Sequence, residues 1–324
     1  MPANRRQHYV PQSYLRAWSP NGTHVWTYDT YRDAHALLPT RDVAQERYFN
    51  DAFRRRPHAA DDGFPADAIE RQFQEWENDF LLARDVALGV AQGTREGTLL
   101  ERRQMSICIA LQLLRTAQLR DILLQQAAQP RSGEAGDLIG WLPADLRAEI
   151  ARNPAFATEH ISLVQACLLW ESMIVPEVAA ELYHYLWVVA VNRTPWPFYT
   201  TDAPVAALAH PHAQPPFHPK AHSFGTGAMR HDVLKRLYIP EPEKGGLELI
   251  FPVAPECALL MFHPCDFAET LGEKQGKVLA LGGESAQLRN VVIAGSARRQ
   301  VFSCSDDFQL ARAAKRYNDQ RSPS

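Results

Sequence analysis

The reactive side chains of this 324-residue chain that interrupt otherwise structural surroundings are His8, Gln12, Glu70, Glu77, Gln112, Arg115, Thr201 and Asp202. His8 sits in QHYVPQSYL. An imidazole there titrates near neutral pH and serves as acid, base or metal ligand. Gln12, four residues on, donates and accepts hydrogen bonds at once. Glu70 and Glu77 are seven residues apart, so on a helix they lie two turns up one face, about 10 Å along the axis. Gln112 and Arg115, three apart, project the same way from SICIALQLLRTAQLRDILL, a stretch apolar nearly all round and therefore buried. A buried guanidinium needs a counter-charge. Glu70, Glu77 and Asp202 are its candidate partners, or an anionic ligand is. Thr201 and Asp202 end an apolar strand in NRTPWPFYTTDAPV, where Pro204 stops simple continuation.

Brought together, these groups would make a hydrolase for a phosphodiester or another anionic substrate, small molecule or nucleic acid. Glu77 and Asp202 would hold a divalent metal or orient water. His8 would be the general acid or base, and Arg115 would offset the developing anionic charge. The same pocket without chemistry would be a small-ligand binding or sensor module. A third reading makes it a structural polar network around buried Arg115. Each residue also has a bland reading. Glutamates are good helix formers, Asp202 suits an Asx turn, and a single histidine is usually a satisfied structural one.

The elements that must position these groups follow from patterning. Asn21-Gly22 is a turn signal, and HVWTYD behind it alternates at strand period. LLPTRDVAQERYFND has room for a second short strand, and RRRPHAADDGFPAD is a breaker-rich loop. Ile69, Phe73, Trp76 and Phe80 then follow helical spacing toward Gly89 or Gly93. Further helices are expected over Thr98 to Gln129, Pro143 to Ala151, Thr158 to Val175, and from Pro176 through Tyr185. After these come short strands: LWVVAVN, PFYTTDAPVAAL, LELIFPVAP, CALLMFHP and NVVIAGS, closed by a helix over Phe308 to Tyr317. Residues 209–232 are a Pro- and His-rich insertion loop. The expectation is an α+β fold in one domain, 1–324. It has an extended module at 7–50, a helical core at 66–186 and a β-rich part at 187–303. A central helical bundle packs on a mostly antiparallel sheet built from N- and C-terminal segments.

Composition is ordinary for a globular chain, with 46% hydrophobic and 22% charged residues and a net charge of −3. No overall field draws it to nucleic acid or an anionic membrane, though local runs such as Arg5-Arg6, Arg54 to Arg56 and Arg298-Arg299 could form a basic patch. The five cysteines are odd in number, widely spaced and without C-x-x-C, which fits a reducing cytoplasm. No apolar h-region opens the chain and no run of about 18 apolar residues occurs, so a soluble protein is expected. There is no Gly-rich phosphate loop, no nucleophile elbow, no HExxH and no zinc-finger spacing.

An ordered set of motifs carries a resemblance. HYVPQ-x-YL near the start, Ile69-Glu70 with Trp76-Glu77, ALQLLRT, PFYTTDAPV and FPVAP together resemble the domain-of-unknown-function family 4238. The resemblance spans about Gln7 to Ser303. Gln7 stands where that family usually has a first histidine, Thr201 where it has Ser, and Ala203 where it has Asn. No two-histidine metal site at the N-terminus is therefore implied. The resemblance implies no activity.

Overall fold

A computed structural model describes residues 6–47, 49–50, 68–129, 137–210, 233–238 and 246–321. The expected breaker-rich loop at 51–67 and most of the His-rich stretch, residues 211–232, lie outside them. The N-terminal segment comprises β1 (Arg6–His8), α1 (Gln12–Leu15), the hairpin β2 (His24–Asp29) and β3 (Ala34–Pro39), and β4 (Gln45–Arg47). Gly22 enters this hairpin at φ 77°, a left-handed conformation that glycine adopts without a Cβ penalty. The helical middle is α2 (Ala68–Ala91), α3 (Leu99–Leu114), α4 (Ala117–Ala128), α5 (Ala144–Arg152), α6 (Ala155–Glu159), α7 (Ile161–Trp170) and α8 (Ile174–His184). The remainder is β5 (Leu186–Val191), β6 (Thr200–Thr201), β7 (Ala206–His210), α9 (Val233–Tyr238), β8 (Gly246–Ala254) and β9 (Cys257–Phe262), then α10 (Pro264–Leu271), β10 (Val278–Ala280), α11 (Gly283–Gly295), β11 (Gln300–Ser303) and α12 (Gln309–Arg321).

The fold is α+β with mostly antiparallel strands. Two main sheets form. The first has the order β10-β5-β9-β8-β7, and its β5–β10 pair is parallel. The second, β3-β2-β11-β6, inserts a C-terminal strand beside the N-terminal hairpin, which is the expected joining of the two ends. A small β1–β4 ladder sits apart from both. Tyr14 and Trp18 pin the N-terminal segment to the rest. The Tyr14 hydroxyl donates to Pro252 O at 2.7 Å and meets Thr200 Oγ1 at 2.7 Å, while Trp18 Nε1 donates to Phe198 O at 2.7 Å. Both rings are almost wholly buried. Each contributes on the order of 2–3 kcal/mol of apolar burial, which offsets part of the cost of ordering the segment.

Two helix expectations and one strand expectation need correction. The stretch Thr98 to Gln129 is two helices, because the chain leaves α3 at Arg115 (φ −95°, ψ 0°) and Thr116 starts α4 by accepting from Leu119 N. The helix expected over Thr158 to Val175 is likewise divided, with α6 ending before His160 and α7 stopping at Trp170. NVVIAGS is the second half of α11, not a strand. A short apolar run has no period of its own, and here Ala286, Asn290 and Ile293 fall on one buried helical face. Its place in the sheet is taken by β11. Among the described residues no single helix is long and apolar enough to cross a membrane. All five cysteines are free thiols.

Candidate functional site

The end of α3 and the inner face of α2 converge on the first residues of the chain. Gln112 Nε2 donates to Tyr9 O at 3.1 Å, and Arg115 Nη2 donates to His8 O at 3.1 Å. Both side chains therefore reach back to the same stretch of backbone, as their spacing requires. Arg115 is 4% exposed, pairs with Glu77 Oε1 at 3.1 Å and lies over the Phe73 ring at 4.3 Å. Phe73 and Glu77 are one turn apart on α2, so a single helical face supplies the aromatic platform and the counter-charge. Gln12, at the start of α1, donates from its carboxamide to His8 Nε2 at 2.9 Å. That bond makes Nε2 the acceptor and places the proton of the neutral ring on Nδ1.

His8 is held neutral. Burial, and then the Arg115 guanidinium, push its pKa down to about 4. The backbone of Arg41 and Val43 and the Asp42 carboxylate act the other way and do not prevail. The buried Nδ1 faces that backbone without forming a hydrogen bond of normal geometry.

Thr201 and Asp202 occupy a different place and have a different task. Asp202 is 2% exposed and accepts three backbone bonds, from Arg298 N at 2.9 Å, Arg299 N at 2.8 Å and Gln300 N at 3.0 Å. Thr201 Oγ1 donates to Ala203 O at 2.7 Å and accepts from Ala203 N at 3.1 Å. Together they form a side-chain-capped turn leading from β6, and they anchor the lead into β11. Burial pushes the Asp202 carboxyl up to about 6, while the three amides hold it below where burial alone would place it. A bridge joins this turn to the His8 corner. Tyr9 N donates to Ala44 O at 3.2 Å, and Ala44 N donates to Gln300 Oε1 at 2.9 Å. Ala44 itself sits at φ 47°, a conformation with a cost of about 1 kcal/mol or more for a residue with a Cβ.

The expected metal pair, Glu77 with Asp202, is therefore divided between two duties. Glu77 answers Arg115, and both Asp202 oxygens are taken by backbone amides. Among the described residues no group of three or more His, Cys, Asp or Glu side chains is arranged to hold a metal ion. Glu70 lies in α2, but its side chain is outside the described residues, as are His212, His218, His222 and His231. His210 closes β7 and bonds to Glu248 at 2.9 Å. The basic run at Arg298-Arg299 is neutralised. Arg298 pairs with Asp121 at 2.6 Å and Glu46 at 3.2 Å, and Arg299 pairs with Asp29 at 2.7 Å.

Two residues near His8 were not singled out from the sequence. Ser13 Oγ is buried without a hydrogen-bond partner, and so is Arg84 Nε, whose Nη1 donates to Ser13 O at 3.5 Å. Arg115 Nε is in the same condition. Arg84 follows Glu77 by seven residues on α2, the very spacing that pairs Glu70 with Glu77, so its place on this face was available from periodicity.

No curated protein and no solved structure matches the chain. A family model described as protein of unknown function (DUF4238) matches residues 6–307, which include every polar group of the His8 corner and the Asp202 turn. The chain belongs to that family.

Proposed function

We propose that the corner formed by β1, α1, the inner face of α2 and the end of α3 binds an anionic ligand bearing a phosphate or carboxylate group. The observation that carries this reading is a surplus of buried donors. Arg84 Nε and Arg115 Nε are guanidinium N–H groups without acceptors, although Arg84 pairs through Nη2 with exposed Asp85 at 3.4 Å, and the Ser13 hydroxyl has no partner either. Native interiors leave few such atoms unpaired, and each costs about 1–3 kcal/mol. An anion entering this corner would supply acceptors that these donors lack. Glu77, with its side chain 24% exposed, holds Arg115 in place while solvent carries part of its own charge.

Hydrolysis of a phosphodiester at the same corner is the second reading, and His8 is the residue it depends on. At neutral pH the ring is unprotonated, as a general base must be. Its pKa of about 4 makes it a weak one, because efficient bases lie near the working pH. Nε2 is also already engaged by Gln12. These two facts favour binding over turnover.

Thermal shifts with inorganic phosphate, pyrophosphate and a dinucleotide test the first reading. A saturable rise in melting temperature is expected in the wild type and not in folded Arg84→Met. Absence of any shift with all three probes would defeat it. Release of nitrophenolate from bis(4-nitrophenyl) phosphate, with and without Mg²⁺, Mn²⁺ or Zn²⁺, tests the second. Activity that disappears in folded His8→Gln would restore the hydrolase.

A further inference from the structure

A half-open cleft lies on another part of the molecule, between α2, the start of α3 and the strands β5 and β9. Its volume is about 240 Å³. The walls are mainly apolar, with Val86, Val90, Met105, Trp187, Val189 and Leu259, and Thr98, Glu101 and Gln275 add polar atoms. One cation lines it. Arg102 donates from Nη2 to Tyr185 O and stands over the Tyr183 and Trp187 rings at 5.1 and 5.6 Å. Its Nε is buried without a hydrogen-bond partner, and among the described residues no carboxylate pairs with it. Glu101 next to it is already committed, to Arg95 and to the Thr98 box that caps α3. Arg102 thus differs from Arg115, which has Glu77. Its counter-charge is missing, and the space beside it is apolar.

We propose that this cleft binds a small amphipathic monocarboxylate, with the carboxylate on Arg102 and the hydrocarbon along Val86, Val90, Met105 and Leu259. Charge complementarity selects the head group, since the Arg102 guanidinium lines the cleft with no carboxylate partner among the described residues and a carboxylate supplies the missing charge. The other polar lining groups are already engaged, Thr98 and Glu101 in the cap of α3 and Gln275 Oε1 with Trp187 N, so the apolar walls select an apolar tail. Size sets the length. A dry cavity of about 150 Å³ takes benzene, so this one suits a chain or ring of roughly six to ten carbons. The site is independent of the His8 corner and shares no residue with it.

Calorimetric titration with octanoate, and with 1-octanol as the uncharged control, tests the proposal. Wild type should bind octanoate saturably. Arg102→Met, which keeps the stem and removes the charge, should bind octanoate about ten- to a hundredfold more weakly and octanol unchanged. Val86→Trp, which fills the cleft and leaves Arg102 in place, should lose both ligands, and it decides the matter alone if Arg102→Met does not fold. Failure of wild type to bind octanoate, or full affinity in a folded variant, would overturn the proposal.

Discussion

At the Asp202 turn three backbone N–H groups converge on one carboxylate, and every polar atom has its partner. Around the His8 corner Glu77 pairs with Arg115, Arg84 reaches Ser13 O from two turns further along α2, and donors are left over. Both places are buried, both interrupt apolar elements, and both lie within reach of Tyr9, whose hydroxyl is kept from ionising by burial and by Asp202 and Glu46. What separates them is the balance of donors and acceptors. A balanced cluster closes a fold, because adding a ligand would displace bonds already made. An unbalanced one has a standing reason to take up what it lacks. Burial and residue type alone do not make that distinction.

The largest effect should follow from breaking the balanced side. Asp202→Ala leaves three amides facing an empty space, and we expect a loss of about 3–5 kcal/mol in urea unfolding with phosphate binding by the folded fraction unchanged. Arg115→Met acts on the other side. It strands Glu77, but that carboxylate is partly solvated, so the expected cost is smaller, about 2–3 kcal/mol, and anion binding should be lost with it. An Arg115 variant as unstable as the Asp202 one, with binding intact, would reverse the two assignments.

Titration sharpens the comparison further. His8 has its pKa lowered from 6.5 to about 4, so the unfolded chain binds the extra proton in that window and stability falls as pH drops through it. Asp202 has its pKa raised from 3.8 to about 6, so the folded protein binds the extra proton and stability rises as pH drops between those values. Each contribution is on the order of 3 kcal/mol, and the two oppose each other over nearly one range. Wild type should therefore show little net slope from these groups between pH 6 and pH 4.5. Asp202→Asn should lose stability on acidification, and His8→Gln should gain it. Identical pH profiles for the two variants would mean that neither group is placed as described.

Much of the His8 corner was legible in the sequence, because Gln112 and Arg115 stand out against an apolar helix and their spacing fixes a common direction. The demand of a buried guanidinium for a carboxylate left Glu70, Glu77 and Asp202 as candidates, and the structure places Glu77 beside Arg115. Asp202 was legible as a polar residue at a strand end, but its partners are backbone amides almost a hundred residues later, and main-chain donors leave no trace in side-chain type. The break at Arg115 was hidden for a related reason. Helix propensity continues through RTAQLRD, and it is Thr116 capping Leu119 N that restarts the helix. NVVIAGS misled because β-branched residues favour strands locally, whereas packing of Asn290 and Ile293 into the core decides the matter. Arg84 needed no new principle, only the same seven-residue step taken once more along α2.

The position of β11 between β2 and β6 has a consequence for how the protein is made. The hairpin of β2 and β3 is synthesised before β11, with one edge of β2 open and Trp26 and Tyr28 along it. Its partner strand, Gln300–Ser303, follows some 270 residues later, and translation at about 5–20 residues per second puts that delay at roughly 15–60 s. Throughout this interval the nascent chain carries an unpaired strand edge, the feature most prone to pairing with a neighbour. A chain cut before Gln300 would leave that edge of β2 open, so β11 works as the strand that seals the hairpin's edge.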